Sequence, residues 1–324
     1  MPTKQAQDWA SPSGKALNSD EKYFRFPFKA MGSPCEIQLF AETFAEAKRI
    51  SDLAITDVRR LEARYSRYRS DSLLSAINRV AAEGGRITVD EETAGLLNYA
   101  ATCYEQSDGL FDITSGILRR AWRFEQGSLP DDTQVRGLLE RIGWHKLRWE
   151  PPVLEFPVPG MELDFGGIVK EYAVDRAAAL CRSAGVRHGV INLGGDIKLI
   201  GARADGHPWR VGISHPRKKG SMIRTLALRD GAVASSGDYE RCIVVEGVRF
   251  GHVLNPKTGW PVRHLAAVSV VGDFCVVAGS ASTIAMLKEK DGPAWLEAMG
   301  LPHLWVDVDG NVGGPLAAST EDSK

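Results

Sequence analysis

Five clusters of glycine and short polar side chains interrupt the apolar runs of this chain, and each carries groups able to hold a ligand. In ARYSRYRSDSLLSAIN, Tyr65 and Tyr68 stand among arginines and next to Ser70, Asp71 and Ser72. Aromatic and guanidinium faces stack on a planar ring, and hydroxyls read its polar edge. The same segment also suits a capped lead-in to a further helix. In SDGLFDITSG, Leu110 and Phe111 precede Asp112, a carboxylate among apolar neighbours. Such a group needs partners, either the backbone that it caps or a ligand's donors. ELDFGGIVKEYAVDRA places Asp164 at a strand end, then Gly166 and Gly167, then Lys170 near a helix start. Glycines there let backbone N–H groups approach an anion, and the lysine adds charge. Neither the G-x-x-x-x-G-K-[ST] loop nor the G-x-G-x-x-G fingerprint occurs.

INLGGDIKLIG repeats the theme with Gly194, Gly195 and Asp196 between two strands, although a plain tight hairpin accounts for it equally. GHVLNPKTGWPV sets His252 beside an Asn-Pro-Lys-Thr-Gly turn, and SSGDYE upstream adds Ser235, Ser236, Gly237 and Tyr239. A lone histidine is more often structural than catalytic. Five such clusters in one chain point to an extended ligand with planar and polar parts.

The elements that must position these groups follow from periodicity. Phe44 to Arg64 has apolar residues at Ile50, Leu53, Val58 and Leu61, with Ile55 off the stripe, which predicts an amphipathic helix. Asp90 is a good N-cap for a second helix that runs through Leu96, Leu97, Ala100 and Tyr104 to stop near Gly109. A third follows Gly166 and Gly167 and ends before Gly185. CEIQLF, KLRWE, GVINL, IKLIG, WRVGI, IRTLAL, AVASS, CIVVE and AAVSVVG read as strands. Strand and helix mix without strict alternation, so the predicted class is α+β with mostly antiparallel sheet.

Composition bounds the function. With 324 residues and 44% hydrophobic side chains, the chain can bury a large core without disulfides or a structural metal. Its 40 Lys and Arg against 41 Asp and Glu supply no general positive field, which argues against nucleic acid or an anionic membrane as main partner. No run of about 18 apolar residues is present to insert in a membrane. The five scattered cysteines read as reduced core residues. The amino terminus lacks the apolar core of a secretory signal, which favours the cytoplasm, or the periplasm if the chain has been trimmed. Residues 1–22 and 316–324 read as flexible tails around one domain spanning 23–315.

Taken in order, AMGSPCEI, RYSRYRSDSLLSAIN, SDGLFDITSG, LDFGGIVKEYAVDRA, INLGGDI, WRVGISHPR, ASSGDYER and HVLNPKTGWPV resemble the ApbE family, the FAD:protein FMN transferases, from about Phe28 to Trp305. The resemblance implies two entwined α+β subdomains with an FAD cleft between them. It implies a divalent metal, usually Mg, that helps split FAD. FMN then passes to a Thr or Ser of a target flavoprotein, and AMP is released. Met31, Tyr68, Leu110, Phe111, Asp112, Asp164, Lys170 and Leu254 match cofactor positions. His252 matches the histidine of an HxxDP-type turn, which implies a proton-transfer role. For the metal, the resemblance implies the carbonyl of Gly167, Ser282 and Thr283.

Three positions depart from the family pattern. Gly279 stands where a metal-binding Asp is usual, Asn255 replaces the Asp of the turn, and Glu171 replaces the Gly after the lysine. The metal site is therefore expected to be weakened, an Asp placed at 279 is expected to strengthen Mg binding, and Asp273 is the nearest upstream carboxylate. Two readings of function follow: an FMN transferase with an altered metal site, or an FAD-binding relative with weak or no transfer. A protein using bound flavin directly as an oxidoreductase is a third.

Overall fold

The computed structural model describes residues 21–239 and 241–317. The expected tails at 1–20 and 318–324 lie outside these residues. Lys22 already belongs to the first strand, and Leu316 and Ala317 pack against the core.

Strands β1 (Lys22–Ala30) and β2 (Ser33–Ala41) form a hairpin that turns at Met31 and Gly32, both at positive φ. Pro27 hides β1 from sequence reading, because proline cannot donate to a ladder, and β1 indeed sits at the sheet edge. Helix α1 (Phe44–Tyr65) starts at Thr43, whose hydroxyl accepts from Glu46 N in capping-box spacing. Its buried stripe is Ala47, Ile50, Ala54, Val58, Leu61 and Tyr65. Leu53, expected on that stripe, is exposed, because Ala54 takes the core-facing place one turn after Ile50.

Next come α2 (Leu73–Glu83), β3 (Gly85–Thr88) and α3 (Glu91–Gln106), with α3 capped by Asp90 as expected. A 3₁₀ segment over Ile113–Arg120 leads to α4 (Asp132–Leu139), β4 (Arg148–Glu150) and β5 (Val153–Phe156). Then follow α5 (Val169–Ser183), β6 (Gly189–Leu193), β7 (Asp196–Ile200), β8 (Trp209–Ser214), β9 (Met222–Leu228) and β10 (Gly231–Gly237). The chain closes with β11 (Cys242–Val245), β12 (Val248–Gly251), β13 (Leu265–Gly272), α6 (Cys275–Leu287), α7 (Gly292–Ala298), β14 (His303–Asp307) and β15 (Val312–Gly313).

An eight-stranded sheet in the order β1-β2-β6-β7-β10-β13-β14-β15 organises the molecule, and every neighbouring pair is antiparallel. Both of its faces are covered. Ile37, Leu39, Ile191, Leu193, Val268 and Val270 join the main core beneath α1, α5 and α6, while Phe40, Val190, Val233 and Ala266 face the β8–β9 ribbon through Trp209, Val211 and Leu226. Successive strand residues point to opposite faces, so a doubly covered sheet needs unbroken apolar runs such as GVINL and AAVSVVG. Each large aliphatic side chain buried there contributes about 1.5–3 kcal/mol. The main core extends without interruption into α2, α3 and β5, which share the interior beneath the eight-stranded sheet. All five cysteines are free thiols, four buried and Cys242 half-buried. No helix among the described residues is long and apolar enough to cross a membrane.

Candidate active site

Four of the five chemistry-bearing clusters converge on one cleft of about 740 Å³, and ARYSRYRSDSLLSAIN lies outside it. Its walls are the 110–119 loop, the start of α5, the β6–β7 turn, the ends of β10 and β13, the β8–β9 ribbon, the 252–254 segment and α6 at Thr283. Leu110, Phe111, Asp112, Asp164, Gly167, Lys170, His252, Leu254 and Thr283 all line it.

The remaining residues singled out earlier lie elsewhere. Tyr68 is 81% exposed and Met31 rests against the main core with its N–H on Glu62 Oε1, and neither lines the cleft. Ser282 is fully buried and outside the lining, its hydroxyl donating to Gly279 O at 2.9 Å. Ser236 Oγ lies 2.8 Å from both Ser282 Oγ and Thr283 Oγ1, and so steadies Thr283 at the cleft wall.

Asp112 is held from three sides. Thr114 donates to its Oδ1 from N (2.8 Å) and Oγ1 (2.6 Å), and Trp144 N donates to Oδ2 (3.0 Å). Burial pushes its carboxyl upward against these donors, which act to hold it down. The carboxylate thus ties the 110–119 loop to the 143–146 turn. Asp112→Ala is expected to cost about 3 kcal/mol, because Thr114 and Trp144 would lose a buried acceptor. A denaturant midpoint shift at unchanged slope measures it.

Asp164 accepts from Arg67 (2.8 Å) and Gly166 N (2.8 Å), with Arg119 at 3.5 Å on the cleft side. A Cβ at Gly116 would stand 2.4 Å from Asp164 Cβ, so glycine is required for this close approach. The β6–β7 turn is Gly194-Gly195 with φ of 65° and 101°, a tight hairpin that only glycines adopt readily. It delivers Asp196, 3% exposed, whose Oδ2 lies 2.7 Å from Lys170 Nζ. Helix α5 starts without a side-chain cap, and its first N–H, that of Val169, donates to Phe165 O at 3.0 Å.

His252 follows β12 on a braced turn. Asn255 N donates to Trp260 O, Lys257 N donates to Asn255 Oδ1, and Trp122 Nε1 donates to Gly259 O. Asn255 therefore performs the local turn bonding that an Asp would perform. On the other side, the buried Asp238 accepts both guanidinium nitrogens of Arg217, and a Cβ at Gly251 would meet Asp238 Cβ at 2.8 Å.

The metal-side expectation changes most. Asp273 is exposed and does not line the cleft. Glu171, by contrast, is buried, lines it, and fills the space beside Gly279. Its carboxyl is pushed up to about 8 by burial and by the nearby Asp196. A Cβ at 279 would lie 2.5 Å from Glu171 Cγ, so an Asp there requires the Glu171 side chain to move. Asp175, one turn beyond Glu171, accepts from the N–H groups of Cys275 and Val276 at 2.9 Å each and fixes α5 against α6. Among the described residues no group of three or more His, Cys, Asp or Glu side chains is placed to hold a metal by itself. A cation here needs hydroxyl, carbonyl or substrate oxygens as well, which is the habit of Mg at phosphate sites.

Reading residues in isolation did not single out Arg67 or Arg119 as site-forming. Arg67 and Arg119 reach the site only by pairing with Asp164 across the fold.

An antiparallel sheet under helices thus carries a glycine-walled cleft that gathers a lysine, carboxylates and one histidine. A crystal structure of the ApbE protein of Thermotoga maritima superposes with a TM-score of 0.83 at 29% identity, over 90% of this chain and 97% of that one. The apo flavinyl transferase ApbE of Pseudomonas stutzeri gives 0.82 at 26% identity, over 93% and 98%. The FAD:protein FMN transferase of Vibrio cholerae is 30% identical over 248 residues, 74% of each chain, and that of Klebsiella pneumoniae is 29% identical over 259, 78% of each. The family model described as "ApbE family" matches residues 31–305, and the chain belongs to that family.

Proposed function

We infer that this chain is an FAD:protein FMN transferase, which moves FMN from FAD to a Thr or Ser of a target flavoprotein. The observation that carries the reading is the single cleft that brings Asp164, Lys170, His252 and Thr283 together at the uncapped start of α5. Its volume, about 740 Å³, lies within the usual range of small-molecule sites. Lys170 at the start of α5 suits the pyrophosphate, while Leu110, Phe111 and Leu254 supply apolar surface for the flavin.

In the reaction, the acceptor hydroxyl oxygen bonds to the phosphorus on the riboflavin side of FAD. The bond from that phosphorus to the bridging oxygen breaks, and AMP departs with the bridging oxygen. His252, at the cleft wall, takes the hydroxyl proton. Phosphoryl transfer of this kind is largely positioning and charge neutralisation, which glycine turns and a lysine supply. A bound Mg ion would add charge neutralisation at the phosphates, and Thr283 and the Gly167 carbonyl, from two residues that line the cleft, would share in holding it.

The deciding assay incubates the full chain with FAD, Mg and an acceptor domain that carries a D-x-x-[ST]-G-A-[ST] segment. One FMN added per acceptor by mass, with one AMP released, is the expected result. Bound FAD with no adduct under Mg or Mn would instead identify a flavin carrier. Colourless protein with no flavin-induced thermal shift would remove both readings.

A further inference from the structure

Glu171 and Gly279 face each other where α5 meets α6. A Cβ at 279 would stand 2.5 Å from Glu171 Cγ, 3.2 Å from Cδ and 3.4 Å from Oε1. The bare glycine is what admits the glutamate, and a side chain at 279 and a glutamate at 171 exclude each other. The Glu171 side chain of α5 thus occupies the space that a side chain at 279 on α6 would take.

One oxygen of that carboxyl group lacks a partner. Glu171 is 8% exposed and lines the cleft, and its Oε2 is buried with no hydrogen bond. Buried acidic oxygens are ordinarily satisfied, so one left open in a ligand cleft calls for a cation. Its nearest acidic neighbour, Asp196, is engaged by Lys170 at 2.7 Å. One ammonium stands against two acidic groups, and a divalent cation would take the place of the proton that Glu171 otherwise keeps. Thr283 and Gly167 line the same cleft, and a hydroxyl and a carbonyl are the hard oxygens that they can offer.

We propose that Glu171 is the carboxylate that binds the divalent cation in this chain, supplied from α5 in place of a residue at 279. Thr283 and the Gly167 carbonyl contribute the rest of the protein's share, and the FAD phosphates complete the set. This rests on the transferase reading of the cleft. It also makes Gly279 the complement of Glu171 and removes the reason to read it as a lost metal site.

The test counts bound Mn²⁺ by electron paramagnetic resonance on the full chain, with and without FAD, and measures FAD affinity separately in chelator by flavin fluorescence. Glu171→Gln, nearly isosteric, is expected to weaken Mn²⁺ binding at least about 10-fold, since even groups one layer removed from a metal cost that much. Metal-free FAD affinity should stay within about threefold, a small change on the free-energy scale. Gly279→Asp alone should melt earlier and bind Mn²⁺ no better. The exchange Glu171→Gly with Gly279→Asp should recover Mn²⁺ affinity to within about threefold of the unmodified protein. Glu171→Gln that binds Mn²⁺ unchanged, or an exchange that recovers nothing, overturns the proposal and leaves the transferase reading intact. If the unmodified protein takes up no FAD in chelator, that reading itself fails.

Discussion

Replacing His252 with alanine is expected to slow FMN transfer by roughly 100- to 10,000-fold, the usual worth of a well-placed proton acceptor, while FAD still binds. The geometry favours so large an effect because the imidazole is not on a loose loop. On one side, Gly251 packs against Asp238, which Arg217 clamps through both guanidinium nitrogens. On the other, the turn closed by Asn255 and Trp260 is pinned to Trp122 through Gly259 O. A base fixed in this way needs little reorganisation as the acceptor hydroxyl gives up its proton. Single-turnover adduct formation measures the rate, and flavin fluorescence measures binding. Unchanged transfer would place the proton step on another group. Loss of FAD binding together with transfer would make His252 a binding residue.

The second large effect concerns Lys170→Met. Lys170 Nζ lies 2.7 Å from Asp196 Oδ2, and the Asp196 side chain is almost fully enclosed beside Glu171. Removing the ammonium leaves two acidic groups in one dry corner with no compensating charge. Because the lysine itself is partly exposed, the expected cost is about 2–3 kcal/mol, below the range for breaking a fully buried pair. The thermal midpoint should fall by several degrees, at roughly 2–4 °C per kcal/mol for a chain of this size. Adding Asp196→Asn should return much of that stability, since a pair replaced by neutral groups costs little. FAD binding should fail to return, because the cation facing the phosphates is still missing. Recovery of both would make Lys170 a purely structural partner of Asp196.

The legibility of this fold varied with the kind of burial each element has. Helices α1, α3 and α5 show in the sequence because each buries one stripe and caps or stops with a recognisable residue. Strand β6 was delimited to the residue, as GVINL, because Gly194 and Gly195 end it. Helix α6 has no such stripe. CVVAGSASTIAML is buried on nearly every side between α5 and the strands β10 and β13, so its pattern carries no helical period. Strands β3, β5, β14 and β15 are short or lie between charged residues and gave no alternation to detect.

What the amino-acid sequence determined by itself was the class of fold, the family, and most of the cleft wall. Apolar period, glycine position and motif order are local properties, and they survive without coordinates. Which carboxylates share a pocket is not local. Glu171 and Gly279 are 108 positions apart, and only the crossing of α5 on α6, fixed by Asp175, shows that one side chain fills the space left by the other. Tertiary structure likewise decided that Asp112 spends its lone pairs on Thr114 and Trp144, that Asp273 is turned to solvent, and that Arg67 and Arg119 converge on Asp164. Charge and steric exclusion act through space at a few ångströms, and the order of residues along a chain does not specify those distances until the chain is packed.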